Sequence, residues 1–243
     1  MATAHLERWL FYGVTIMKLF LPATILLSFF TMPLSASECI DAHSVIGVTL
    51  SSDSAAGQKQ SLSILRETSS RVIYDFKPQG ITRVYLRYSE ENIGYEEYFN
   101  AEKIGVEHEP SPTNVPGGWS EVRSFVSDDT LGSLNKTGSG KHQCLETSTY
   151  EGVVNGETIK ATLIDELNLP VLMERRTSSG GSRWVVDSLE ANPAHVTSIS
   201  SKLDTYRTYD FADLGDHEEE AFFRNSGYLK YKLGHGHDGD HDH

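Results

Sequence analysis

Two cysteines in 243 residues are too few for a thiolate zinc finger or a cysteine-ligated iron–sulfur cluster. Positive charge is scarce as well: 21 Lys plus Arg stand against 34 Asp plus Glu, a formal charge of −13. So acidic a chain repels phosphate backbones and anionic headgroups, which excludes nucleic acid as a partner and polybasic docking on a membrane. Catalytic signatures are missing too. There is no G-x-S-x-G elbow, and residues 138–141 (GSGK) lack the earlier glycine and the following Ser or Thr of a phosphate loop. Neither enzymatic activity nor an organic cofactor is expected.

What is present begins with an address. Residues 19–34 (LFLPATILLSFFTMPL) follow Lys18 and precede Ser35-Ala36-Ser37, the charge, apolar core and small-residue exit of a secretory signal. The run is shorter than the ~20 residues a helix needs to span a bilayer. It also carries Pro22 and Pro33. Cleavage after Ser37 is therefore expected, with no stable membrane span afterwards and a periplasmic or secreted destination. Glu7 and Trp9 make residues 1–16 unlike the amino end of a signal, which puts Met17 forward as an alternative start; the reading holds for either.

Glu38 stands where a lipidation signal needs a small residue, which argues against acylation of Cys39. Cys39 and Cys144 then form one disulfide in an oxidising compartment. The loop is on the order of 100 residues, for which chain-entropy arithmetic gives about 4.7 kcal/mol. The expected layout is a signal at residues 1–37, a single β-rich domain at 38–233 and a disordered tail at 234–243.

Leu62 and Leu65, three apart with Ile64 beside them, predict one amphipathic helix within residues 53–68. The period then changes. Residues 71–76 (RVIYDF), 81–88 (ITRVYLRY), 94–99 (GYEEYF) and 104–108 (IGVEH) are short, β-branched and aromatic, with KPQG at 77–80 and EEN at 90–92 as turns. Residues 110–118, rich in proline and glycine, read as a surface loop within the domain. Residues 128–141 read as an exposed polar excursion containing the sequon Asn135-Lys136-Thr137.

Asn155-Gly156 joins residues 150–154 to 157–164 as a hairpin. SSGG at 178–181 joins residues 169–175 to 183–189 as another, with Trp184 as a core residue. Asp216 and Glu219 match a capping box ahead of Ala221-Phe222-Phe223, with Gly227 as the stop. At least eight strands and two helices without βα alternation predict an α+β domain: a curved, largely antiparallel, open barrel-like sheet with one or two packed helices.

The order of these elements, with residues 165–171 (DELNLPV) entering a strand, resembles the outer-membrane lipoprotein carrier and sorting-protein (LolA-like) superfamily. Asp165 and Leu169-Pro170 carry the likeness, which covers residues 53–189. It implies an open β-barrel wrapped over helices, and a lipid or lipoprotein as partner in an apolar cavity. The acidic segment 209–220 and the histidine-rich end stand outside that pattern.

That end is the concentrated chemistry of the sequence. His235, His237, His241 and His243 alternate with Asp238, Asp240 and Asp242. Imidazole suits Zn²⁺, Ni²⁺ or Cu²⁺ and carboxylates complete a shell, so His235, His237, Asp238, Asp240, His241 and His243 form the expected metal site. Ordering a flexible tail costs ~1–2 kcal/mol per residue, which points to capture or buffering of a metal ion rather than catalysis. Imidazole must be neutral to bind, so binding should fade toward pH ~6. A merely solubilising tail is the plain alternative.

Residues 234–239 spell a dinucleotide fingerprint without any strand-to-helix context, and Asp238, Asp240 and Asp242 imitate a calcium loop that has no closing glutamate. Asp210, Asp213, Asp216, His217 and Glu218 read as a helix cap and solvated face. The scattered His43, His108, His142 and His195 read as structural. The expected function is metal capture by an exported, non-enzymatic protein; the alternative is a periplasmic module carrying a lipid or lipidated partner under the sheet.

Overall fold

The computed structural model describes residues 39–53, 59–217 and 219–226. Two antiparallel meanders build it. The first runs through β1 (Gly47–Asp53), β2 (Lys59–Arg66), β3 (Arg71–Phe76), β4 (Ile81–Arg87), β5 (Ile93–Phe99) and β6 (Ile104–Ser111). The second runs through β7 (Asn135–His142), β8 (Leu145–Val154), β9 (Glu157–Ile164), β10 (Leu169–Thr177) and β11 (Gly180–Glu190). They join where β1 pairs antiparallel with β11, from Gly47 opposite Glu190 to Ser51 opposite Val185.

A short β12 (Arg207–Asp210) adds parallel to β6 and completes one sheet of 12 strands. Gly105 of β6 permits that addition, because a Cβ there would sit 2.7 Å from the Tyr98 ring and 2.8 Å from Thr208. The class is the expected one: an α+β fold with a curved, open, largely antiparallel sheet.

Helices cover both faces of its middle. On one side lie α1 (Gly118–Ser124) and α2 (Asp128–Gly132), with Trp119 and Val122 of α1 buried against Leu62, Ile64, Val72 and Tyr74. On the other lies α3 (Pro193–Leu203), whose Val196 and Leu203 pack on Leu65, Ile73 and Val84. The curvature follows from what α1 reaches. Tyr74 Oη of β3 donates to Val122 O at 2.8 Å, while Arg175 of β10 lies 3.9 Å from Glu121 Oε1. Those strands are four places apart in the sheet, about 19 Å if it were flat, so the sheet wraps α1 on its concave side.

That double cover corrects the first expected helix. Residues 59–66 are strand β2, in which Leu62, Ser63, Ile64 and Leu65 are all buried. A strand buried on both faces loses its alternation and imitates a short apolar helix. A second correction concerns residues 128–141, which are α2 followed by β7 rather than an irregular excursion. β7 is an edge strand, so its polar side chains stay in solvent while its backbone pairs with β8.

At the C-terminal end, residues Phe211–His217 form a 3₁₀ helix and α4 starts only at Ala221, ending at Ser226. Asp216 therefore does not cap α4; Glu220 N–H donates to His217 O instead.

The two expected hairpins are present. Asn155 and Gly156 take φ of 51° and 79°, the paired positive values that a two-residue turn demands. Ser178 and Ser179 turn β10 into β11. Cys39 and Cys144 are bonded, their Cα atoms 5.3 Å apart, which ties the segment ahead of β1 to the β7–β8 turn. Among the described residues, no helix is long and apolar enough to cross a membrane.

Candidate functional site

α1 packs on the concave side and leaves part of the sheet beside it uncovered. The floor of the uncovered part is Tyr74 and Phe76 from β3 and Tyr85 from β4, which share a face because they alternate along adjacent strands. One wall is Val122 of α1 with Phe125 just past its end; the facing wall is Val115 and Pro116. Together they bound a cleft of about 310 Å³, at the small end of the ~300–1,000 Å³ typical of small-molecule sites.

Each wall is positioned by identifiable bonds. Asn114 Nδ2 donates to Ile93 O at 2.7 Å and Glu109 O at 2.9 Å, holding the turn that carries Val115 and Pro116 against β5 and β6. On α1, Glu121 Oε2 accepts from Gly117 N–H at 3.0 Å and Trp119 Nε1 donates to Ser69 O at 3.1 Å. The carboxyl end of α1 is anchored by Arg66, which donates to Arg123 O at 2.7 Å, Leu167 O at 2.7 Å and Asn168 O at 3.2 Å. Burial and then the nearby Arg123 cation lower the Arg66 pKa to about 10, so it remains charged at neutral pH beside the negative end of the helix.

Phe125 ends α1 with a φ of 62°, and its N–H donates to Glu121 O at 2.8 Å. A bulky residue in the left-handed region costs on the order of 1–3 kcal/mol. Glycine is the usual occupant. The strain is compensated by the ring, which lies 6.5 Å from Tyr74 and edge-on to Trp184 at 6.1 Å. Trp184 is thus partly buried packing, as expected, and it backs the cleft wall.

Aromatic rings continue beyond the floor. Tyr74 meets Tyr85 at 5.2 Å, Tyr85 meets Tyr95 at 6.1 Å, Tyr95 stacks on His108 at 4.1 Å, and His108 stacks on Phe211 at 4.6 Å. Arg83 interrupts this apolar stripe. Its guanidinium lies 6.0 Å from the Phe76 centroid and 5.4 Å from that of Tyr95, donates to Tyr85 Oη at 3.3 Å, and pairs with Glu97. Burial opposes the Arg83 charge, yet Tyr85 and Glu97 outweigh it and hold its pKa above the ordinary arginine value. Burial also pushes the Tyr74 hydroxyl well up, so it stays protonated and donates to α1.

A larger cavity of about 740 Å³ opens near Ala42, Arg66, Trp119 and Leu167. Several of its polar groups are already bonded: Glu67 to Arg71, Glu90 to Arg87, and Arg66 to three carbonyls. The smaller, aromatic cleft is therefore the candidate site.

The expected metal residues His235, His237, Asp238, Asp240, His241 and His243 lie outside the described residues. Among the described residues, no group of three or more His, Cys, Asp or Glu is arranged to hold a metal. That includes Asp210, Asp213, Asp216 and His217; Glu218 is outside the description. His195 Nδ1 lies 2.6 Å from Glu190 Oε2 at the start of α3 and His43 lies 3.8 Å from Glu166, so the scattered histidines do not converge. Sequence reasoning missed Phe125, Arg83 and Glu97. Arg83 and Glu97 become neighbours only through the β4–β5 register, which places them directly opposite.

No protein-family model matches the chain, and no curated sequence does. Among solved structures it is similar to PNGF-II in space group C2, with a TM-score of 0.42 and 12% identity over 72% of this chain and 33% of that one. It is similar also to MucB in complex with MucA(peri), with a TM-score of 0.33 and 10% identity over 60% of this chain and 50% of that one. The Pseudomonas aeruginosa MucA/MucB complex gives a TM-score of 0.33 and 12% identity over 60% and 51%. The chain spans about a third of PNGF-II and about half of MucB.

Proposed function

We propose that the protein is an exported, periplasmic binding module that holds the apolar chain of a lipid or lipidated partner in the cleft on the concave side of its sheet. The observation that carries this is the cleft's lining: mainly aromatic and aliphatic side chains from β3, β4, α1 and the turn at Val115, with Asn114 and Glu121 among them, bound a space open to solvent beside a packed core. Apolar surface kept open is unfavourable, and a ligand that removes it from water gains ~25 cal/mol per Å² covered. The volume suits one slim chain, not a bulky cargo. A disulfide tying the start of the domain to the β7–β8 turn fits an oxidising compartment.

Val115 stands on the wall facing α1 and is only partly buried. In Val115→Trp the indole occupies the cleft. The expected result is a loss of alkyl-probe binding of at least about tenfold with an unchanged unfolding midpoint. Unaltered probe affinity in that variant overturns the reading.

A further inference from the structure

Beside the floor of the cleft stands Arg83, which is not one of the lining residues but bonds to one of them, Tyr85. Arg83 faces Tyr74 across the β3–β4 register and stands two residues before Tyr85, so it lies on the same face as both. Its guanidinium carries five N–H donors. One goes to Tyr85 Oη and one to Glu97, while Nε is buried with no hydrogen-bond partner among the described residues. About a third of the side chain, 32%, is still exposed. Tyr85 lines the cleft, accepts from Arg83, and retains its own proton to donate. The Tyr85 hydroxyl in the cleft and the exposed part of the Arg83 guanidinium beside it leave donor capacity for a ligand.

We propose that the bound molecule presents a neutral carbonyl, the ester of an acyl chain, to the Arg83 guanidinium and the Tyr85 hydroxyl. This rests on the binding-module reading and adds the chemical class of the ligand's polar end.

A free carboxylate is disfavoured by charge. Glu97, only 6% exposed, already neutralises Arg83. A second anion would leave the cluster net negative in a desolvated place, inside a chain that is already at −13. An ester oxygen accepts from the same donors without bringing a charge. A chain with no acceptor would cover the donors with hydrocarbon and leave them unpaired, which costs more than an exchanged hydrogen bond.

The test is a titration of the full chain with three probes of similar length, methyl octanoate, octanoate and 1-chlorooctane, followed by tryptophan emission, since Trp184 backs the Phe125 wall. Methyl octanoate is expected to bind roughly tenfold more tightly than either of the others. Arg83→Lys keeps a cation for Glu97 but loses the planar fork, and Tyr85→Phe removes one hydroxyl. Each should bring the ratio of methyl octanoate to 1-chlorooctane affinity toward one. Equal affinity for methyl octanoate and 1-chlorooctane overturns the ester proposal while leaving the binding module standing. Octanoate binding as tightly as the ester, or more so, overturns it in favour of charge pairing. Failure of all three probes overturns the binding module itself.

Discussion

The two faces of β3 and β4 are built from the same strands and do opposite things. On the α3 side, Ile73 and Val84 are fully buried against Val196 and Leu203 in a closed apolar layer. On the α1 side, Phe76 is only half-buried, and a cleft remains beside Tyr74 and Tyr85. Both sides are packed, but only the α1 side keeps an open surface, beside a strained Phe125. Binding surfaces are drawn from such under-packed regions, since a site that is filled by its own chain has no room for another molecule.

The largest effect that would sharpen this contrast is expected at Ile73→Ala, which should cost ~2–5 kcal/mol in urea unfolding because the α3 side cannot collapse into the void. Next, Arg66→Met should cost about 3 kcal/mol, because it leaves Arg123 O, Leu167 O and Asn168 O without their donor. Its signature is a loss of amide protection in α1 ahead of α3, read by hydrogen exchange. Asn192→Ala should cost ~1 kcal/mol and loosen α3 alone, since Asn192 Oδ1 accepts from Ala194 N–H at 3.1 Å.

Acidity sharpens the same contrast. Burial acts to raise the Glu190 carboxyl, but the Asn192 N–H and the His195 ring outweigh it and hold it below its ordinary value. The folded carboxyl is the stronger acid. Its stabilisation is therefore complete above the unfolded-chain value near ~4.3 and is lost as pH falls through the lower folded value. A pH series of unfolding midpoints should show a decline in that window that is absent from Glu190→Gln. A small stability effect, under ~1.5 kcal/mol, is expected at Phe76→Ala, with alkyl-probe binding weakened severalfold. A cost matching that of Ile73→Ala would erase the distinction between the faces.

Legibility in the sequence followed how local the signal was. Asn155-Gly156 encodes its hairpin in two residues, and the positive φ values there show why. β2 was illegible for the opposite reason: its character depends on helices contributed by residues 118–124 and 193–203, far along the chain. α3 did carry a local mark, since Asn192 ahead of Pro193 combines a capping side chain with the residue best suited to the first helical position. α1 carried none, because its cap, Gly117, has no side chain with which to bond the first N–H groups of the helix. The cleft belongs to the illegible class. Tyr74 and Tyr85 sit in expected strands and Phe125 in no motif, and nothing in their sequence marks the gap that topology leaves between them. The concentrated histidines, by contrast, stand out in the sequence yet fall outside the described residues.

The seam between β1 and β11 has a consequence in time. Every other antiparallel pairing in the sheet joins consecutive strands, whereas Gly47 must wait for Glu190. Closing so distant a contact carries the steepest entropic toll in the molecule. As the polypeptide emerges amino end first, β1 to β6 can zip together at once, with one margin of β1 bare until the second ribbon arrives. During that interval the nascent molecule is an open half-sheet whose bare margin is a template for unwanted strand pairing.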